Sequence, residues 1–209
     1  LAFLRKHVLS KGQSLLDLGC AAGAMLRQLG SVYSNEYGGH GPLTGVELVP
    51  GWVRAAARVF GNTSQYMSFF QGDVTEVRLW RTFDIITLND VLEHVMPQRY
   101  ACLFATLAAH SHANTAVYFH TPSPMTQMSE RGQFFENVVP HHVLVTGMAC
   151  AGFQLELFAT DTETNCSAPK RKHGAHRAPY RRANCVDAAS GAPKYTHTMF
   201  RRAPQAALG

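Results

Sequence analysis

The sequence has no apolar run approaching the ~20 residues that a helical membrane span requires. It has no internal repeat, which excludes solenoids and propellers. It also has no Cys-x-x-Cys pair: the five cysteines stand at 20, 102, 150, 166 and 185, an odd set without the spacing of a zinc ribbon or a dithiol redox site. Cys20, Cys102 and Cys150 sit in apolar surroundings and read as buried free thiols, which points to a reducing compartment and a cytoplasmic location. Charge is sparse at 16% of residues against 46% hydrophobic, the balance of an ordinary globular protein. A start at Leu1 reads as a fragment or a processed product, with one amphipathic helix in the opening residues and no recognisable leader.

What is present is organised. At 209 residues the chain suits one α/β domain spanning 1–209. Its net charge of +5 comes from residues 162–194, where seven Lys and Arg face two acids; elsewhere the signs balance. That stretch is rich in Ala, Pro, Arg, Lys and His, cannot bury a core, and is expected to be a disordered basic insertion. Its Cys166, His173, His176 and Cys185 fit no usual zinc spacing, and no metal site is expected.

Around this insertion, short apolar runs alternate with helical stretches. Strands are expected over 14–18, 43–48, 67–71, 83–88 and 116–120, with helices over about 23–32, 52–60, 96–110 and 141–151. Alternation of this kind builds a mostly parallel sheet with helices on both faces. The last two runs, 153–158 and 195–200, have no helix between them and read as an antiparallel hairpin. The expected fold is thus a seven-stranded Rossmann-like sandwich closed by a C-terminal hairpin.

The chemistry concentrates where strands end, because ligands of open α/β sheets bind beyond the carboxyl ends of the strands. Leu15-Leu16-Asp17-Leu18-Gly19-Cys20-Ala21-Ala22-Gly23 puts a buried strand, an acid, a glycine turn and a helix start within nine residues. A pyrophosphate arriving at that helix would meet the Asp17 carboxylate and be repelled, which argues against a nicotinamide dehydrogenase. A ligand carrying an ammonium and a sulfonium would be welcomed. Glu47 ends the second strand, where an acid can accept both hydroxyls of a ribose; the alternative is a solvated strand-end acid. Asp73 follows the third strand, placed to accept from an adenine amino group or, equally, to cap a helix.

LLDLGCAAG, TGVELVP, FQGDV and FDIITLNDVLEHV together resemble the four successive motifs of class I S-adenosylmethionine (SAM)-dependent methyltransferases, over roughly residues 10–160. The VLEHV ending and the later TPSP resemble the branch that includes ubiquinone-biosynthesis O-methyltransferases and many small-molecule methyltransferases. Three features depart from the family: Ala21 stands where glycine is usual, the basic insertion is extra, and the usual N-terminal covering helices are nearly absent. The resemblance implies that Asp17 and Gly19 face the methionine end of SAM, within the turn that Cys20 and Gly23 complete. It implies that Glu47 holds the ribose with Leu48 against the adenine, that Asp73 and Val74 flank the adenine, and that Asn89 contributes near the methionine moiety.

Methyl transfer to oxygen also benefits from a base. His94, just after the fourth strand, and His120, at the end of the fifth, are the candidates, while Glu93 reads equally as a structural acid. The expected partner is a small-molecule acceptor. Two rivals stand beside this reading: a noncatalytic methyltransferase-like binding module, and an RNA methyltransferase guided by the basic segment. Against the second, the place after strand four reads Asn89-Asp90-Val91-Leu92, without the aromatic-proline tetrapeptide of amine-directed nucleic-acid enzymes.

Overall fold

The computed structural model describes residues 2–38, 41–61, 66–124, 137–160 and 195–203. The expected insertion at 162–194 lies outside the described residues, as do Cys166 and Cys185. In chain order the elements are α1 (Ala2–His7), β1 (Leu15–Leu18), α2 (Ala24–Glu36), β2 (Leu43–Glu47), α3 (Pro50–Ala56), β3 (Met67–Gln71), β4 (Phe83–Asn89), α4 (Tyr100–Ala109), β5 (Ser111–Pro122), α5 (His141–Cys150), β6 (Phe153–Thr160) and β7 (Tyr195–Arg202). The seven strands form one sheet in the order β3-β2-β1-β4-β5-β7-β6. β1 to β5 run parallel, and β7 lies antiparallel between β5 and β6. The expected α/β Rossmann-like sandwich with a C-terminal hairpin is therefore the fold observed.

Adjacent apolar residues in the central strands explain the two layers of helix. In a strand, neighbours point to opposite faces, so a doubly covered sheet needs apolar side chains at consecutive positions. Leu15, Ile85, Ala116 and Tyr118 pack with Phe3, Leu26, Leu29 and Tyr33 on the side of α1 and α2. Leu16, Ile86, Val117 and Phe119 pack with Leu103, Phe104, Leu107, Leu144 and Met148 on the side of α4 and α5.

Three local expectations are corrected. The helix expected over 52–60 begins at Pro50, a residue suited to a first helical turn, and loosens after Ala56 into a wider turn over Ala57–Gly61. β5 starts at Ser111 rather than Ala116, its register shifting where Phe83 pairs ahead of Ile85. Cys102 and Cys150 are exposed, and of these three described cysteines only Cys20 is buried. The core face of α4 is Tyr100, Leu103, Phe104 and Leu107, and that of α5 is Leu144 and Met148; both cysteines fall off these stripes. Their apolar neighbours in sequence are not their neighbours in space.

Gly147 sets how closely α5 approaches α4. A methyl group built there would lie 2.1 Å from one ring carbon of Phe104, with two more within 3 Å. Phe104 is itself buried, so its whole ring would have to move. Gly147→Ala is expected to destabilise the protein by about 1–3 kcal/mol despite the better helix propensity of alanine, read as a lowered urea midpoint.

Candidate active site

The parallel strands bring their carboxyl ends to one rim. β1 ends at Leu18, opposite Val46 of β2 and Leu88 of β4; Glu47 lies opposite Gln71, and Asn89 opposite His120. The loops leaving these ends carry nearly every residue singled out from the sequence.

The first turn is built from backbone. The N–H groups of Gly19 and Cys20 both donate to the carbonyl of Val46, at 2.8 and 3.0 Å, and Gly23 closes the turn by donating to the Cys20 carbonyl. Gly19 has φ 79° and Gly23 φ 77°, the left-handed region that glycine enters without steric cost. Space enforces glycine at 19 as well: an added methyl would lie 2.4 Å from a Val91 side-chain carbon. Ala21 is also left-handed, at φ 46°, which is the physical reason glycine suits this position better.

Asp17 lies within β1 and is almost wholly buried. One carboxylate oxygen accepts from Thr87 Oγ1 at 2.8 Å and from Asn89 Nδ2 at 3.4 Å. Burial pushes its pKa up to about 7; the two hydrogen bonds pull it down, and the charge of Glu47 adds a smaller upward push. The neighbouring Cys20 thiol is also pushed up, first by burial and then by Asp17 and Glu47, and stays protonated.

Glu47 ties two loops together. One oxygen accepts the backbone N–H of Ala21 at 3.0 Å, and the other accepts that of Val49 at 2.9 Å. Beside it Leu48 is 60% exposed, and Val49, the next residue, is exposed as well. The Glu47 carbonyl accepts from Gly72, which brings the FQGDV loop alongside. There Asp73 accepts from the backbone N–H and hydroxyl of Thr75, at 2.8 and 2.7 Å, and pairs with Arg99 at 3.1 Å. Burial alone would raise its pKa; Thr75 and Arg99 together hold it below the usual carboxylate range. Val74 packs against the core.

On the other flank, His94 is exposed in the short turn Leu92–His94, whereas Glu93 is buried. Glu93 accepts from Thr121 Oγ1 at 2.9 Å, while its carbonyl takes the backbone N–H of Asn137 at 2.7 Å. It thus ties β4's outgoing turn to β5 and to the segment entering α5. His120 is half-buried, with Nδ1 3.1 Å from Asp90 Oδ1 and its ring stacked on Tyr195 at 4.6 Å.

The structure thus gathers Asp17, Gly19, Cys20, Gly23, Glu47, Leu48 and Asn89 at one place, with Asp73 and Val74 one strand outward and His94 and His120 on the opposite flank. Sequence reasoning missed Thr87, Arg99, Tyr195 and Asp90. For Asp90 a signal existed: it is an acid just after a strand, as Asp73 is.

Asp17 sets a stability cost. Its folded pKa lies above the ordinary 3.8, so the folded state holds a proton that the unfolded state has lost between pH 4 and 7, and stability falls as pH rises across that window. Asp17→Asn removes the ionisation. It is expected to raise stability at pH 8 by about 1–3 kcal/mol and to leave it nearly unchanged at pH 4, measured by denaturant unfolding at both values.

A family model described as a methyltransferase domain matches residues 1–156. No curated protein sequence matches the chain. Among solved structures, a SAM-dependent methyltransferase from Mesorhizobium loti is 15% identical, with 96% of each chain covered and a TM-score of 0.69. The N-methyltransferase NodS from Bradyrhizobium japonicum is 14% identical over 97% of this chain and 91% of its own, with a TM-score of 0.65. DhpI, solved with SAH, is 14% identical over 97% and 82%, with a TM-score of 0.63.

Proposed function

We propose that this chain, which belongs to the methyltransferase domain family, takes a methyl group from SAM and transfers it to a hydroxyl of a small-molecule acceptor. The observation that carries the cofactor reading is Asp17: a buried carboxylate at the strand-end rim, hydrogen-bonded to Thr87 and Asn89 and raised by burial to about 7. A cationic amino-acid end placed beside it would favour its ionised form.

The rest of the rim suits a nucleoside. Each Glu47 oxygen accepts one backbone N–H, and a carboxylate has about four acceptor sites, so two remain for a pair of ribose hydroxyls. Leu48 and Val49 offer exposed apolar surface to a base, and Val74, partly buried against the core, follows Asp73 in the next loop. Asp73 has three protein donors already, so its share in holding an adenine amino group rests on its remaining acceptor capacity. Gly19 and Gly23 permit close backbone approach, Cys20 packs beneath the turn, and Asn89 faces Asp17.

When bound, SAM supplies an activated methyl group on a sulfonium, so the protein mainly positions donor and acceptor. Asp17 and Asn89 fix one end, Glu47 the middle and the apolar rim the other. His94 and His120 flank the side where an acceptor enters. The Glu93-His94 ending and Thr121-Pro122-Ser123-Pro124 support the small-molecule branch that includes ubiquinone-biosynthesis O-methyltransferases. Oxygen is favoured because both flanking imidazoles are suited to taking up a proton from a hydroxyl.

Calorimetry should find SAM and SAH binding in the micromolar range; no heat with either would overturn the reading. Because the cation requires ionised Asp17, SAM affinity should weaken as pH falls below about 7, approaching tenfold per unit. Glu47→Gln should weaken binding by about 10–100-fold, through loss of a charged hydrogen-bond acceptor.

A further inference from the structure

The carboxyl ends of β4 and β5 carry an arrangement that cofactor binding does not use. Asp90 is the first residue beyond β4. Its N–H continues the ladder by donating to the His120 carbonyl at 2.9 Å, and its carboxylate meets His120 Nδ1 at 3.1 Å. Tyr195 of β7 stacks on the His120 ring at 4.6 Å and 20°, and His197 lies tilted 5.1 Å away. His197 is in turn held by the Tyr118 hydroxyl at 2.8 Å and by the Phe3 ring. The imidazole is therefore fixed in place and in rotation, yet its side chain stays 23% exposed.

Stability does not account for this geometry. Asp90 is left-handed at φ 51°, a conformation that aspartate and asparagine enter more readily than other residues with side chains but still less freely than glycine. Its carboxylate is 52% exposed, and an ion pair so open to water returns little. Strain held without a stabilising return marks functional positions.

We propose that Asp90 and His120 form a base dyad for the acceptor hydroxyl, in which Asp90 is the positioning residue and His120 Nε2 the proton acceptor. By accepting from Nδ1–H, the carboxylate fixes the tautomer that leaves the Nε2 lone pair outward, and it stabilises the imidazolium that forms. The acceptor O–H bond breaks with its proton passing to Nε2. The oxygen keeps the electron pair and bonds to the methyl carbon, while the pair of the carbon–sulfur bond stays on sulfur. An imidazole can take a proton from an aliphatic hydroxyl, but the Brønsted match is closer for an acidic one, and the acceptor class we assign is a phenol or enol. Register supports the placement: His120 lies directly opposite Asn89, one strand from the residue that contacts Asp17.

This inference rests on the proposed SAM-dependent activity, and the test separates the two. In protein saturated with SAH, the ring-nitrogen NMR signals of His120 should report the Nδ1–H tautomer and should shift on addition of phenol but not of cyclohexanol. Asp90→Asn, which tolerates the left-handed backbone, should give mixed tautomers, and Asp90→Glu should restore the single one. With SAM and phenol, His120→Ala should lower kcat by about 10²–10⁴-fold and Asp90→Asn by at least about tenfold, with SAM affinity unchanged in both. Failure of SAH to bind overturns the functional reading. Binding of SAH with His120 signals unmoved by phenol, or a tautomer indifferent to Asp90, overturns the dyad alone.

Discussion

A carboxylate buried near the end of β1, with no cationic partner among the described residues, is the constraint on which the site depends. Asp17 belongs to a strand whose four residues are all buried, so its charge is placed by the sheet and not by a mobile loop. Thr87 and Asn89 on the adjacent strand offer it hydrogen bonds but no compensating charge. The fold therefore carries an electrostatic deficit that a cationic ligand would relieve, and stability is given up to keep it. Glu47 adds to the same deficit from the neighbouring strand.

The contacts around Asp17 tie its strand to the loops that leave the neighbouring strands. The Gly19 turn returns to β2 through Val46, and Glu47 binds the Ala21 and Val49 amides, so the two loops move as one piece. Left-handed backbone recurs at the rim, at Gly19, Ala21, Gly23 and Asp90. A glycine takes this conformation freely, but Ala21 and Asp90 do not, and each lies where a strand gives way to a binding loop. On the outer flank Arg99 reaches Asp73 and Glu76, joining the loop after β3 to the start of α4. On the opposite flank Glu93 and Asn137 hold the entry to α5 against the ends of β4 and β5. No described helix is long and apolar enough to cross a membrane.

Much of the candidate site was legible because its logic is one-dimensional. An acid at or just after the end of an apolar run is local, and Asp17, Glu47 and Asp73 were each found that way. The same signal was present at Asp90, but its weight comes from His120, which only strand register brings beside it. Exposure was less legible. Cys102 and Cys150 have apolar neighbours along the chain, yet helical rotation turns them outward, while Glu93, a charged residue in an otherwise ordinary turn, is buried through its contact with Thr121, 28 residues away.

The sequence by itself determined the layered α/β fold, its closing antiparallel pair and the family, because period-2 apolar pairs, strand-end acids and glycine turns are properties of neighbouring residues. It also determined which carboxylates stand at the strand ends. Only the tertiary structure decided how each is held: that Asp17 is raised by burial, that Asp73 is shared between Thr75 and Arg99, and that His120 rather than His94 has a carboxylate and an aromatic ring to fix it. Those outcomes depend on strand register and on contacts between distant segments, and a charge acquires its strength from what surrounds it in space.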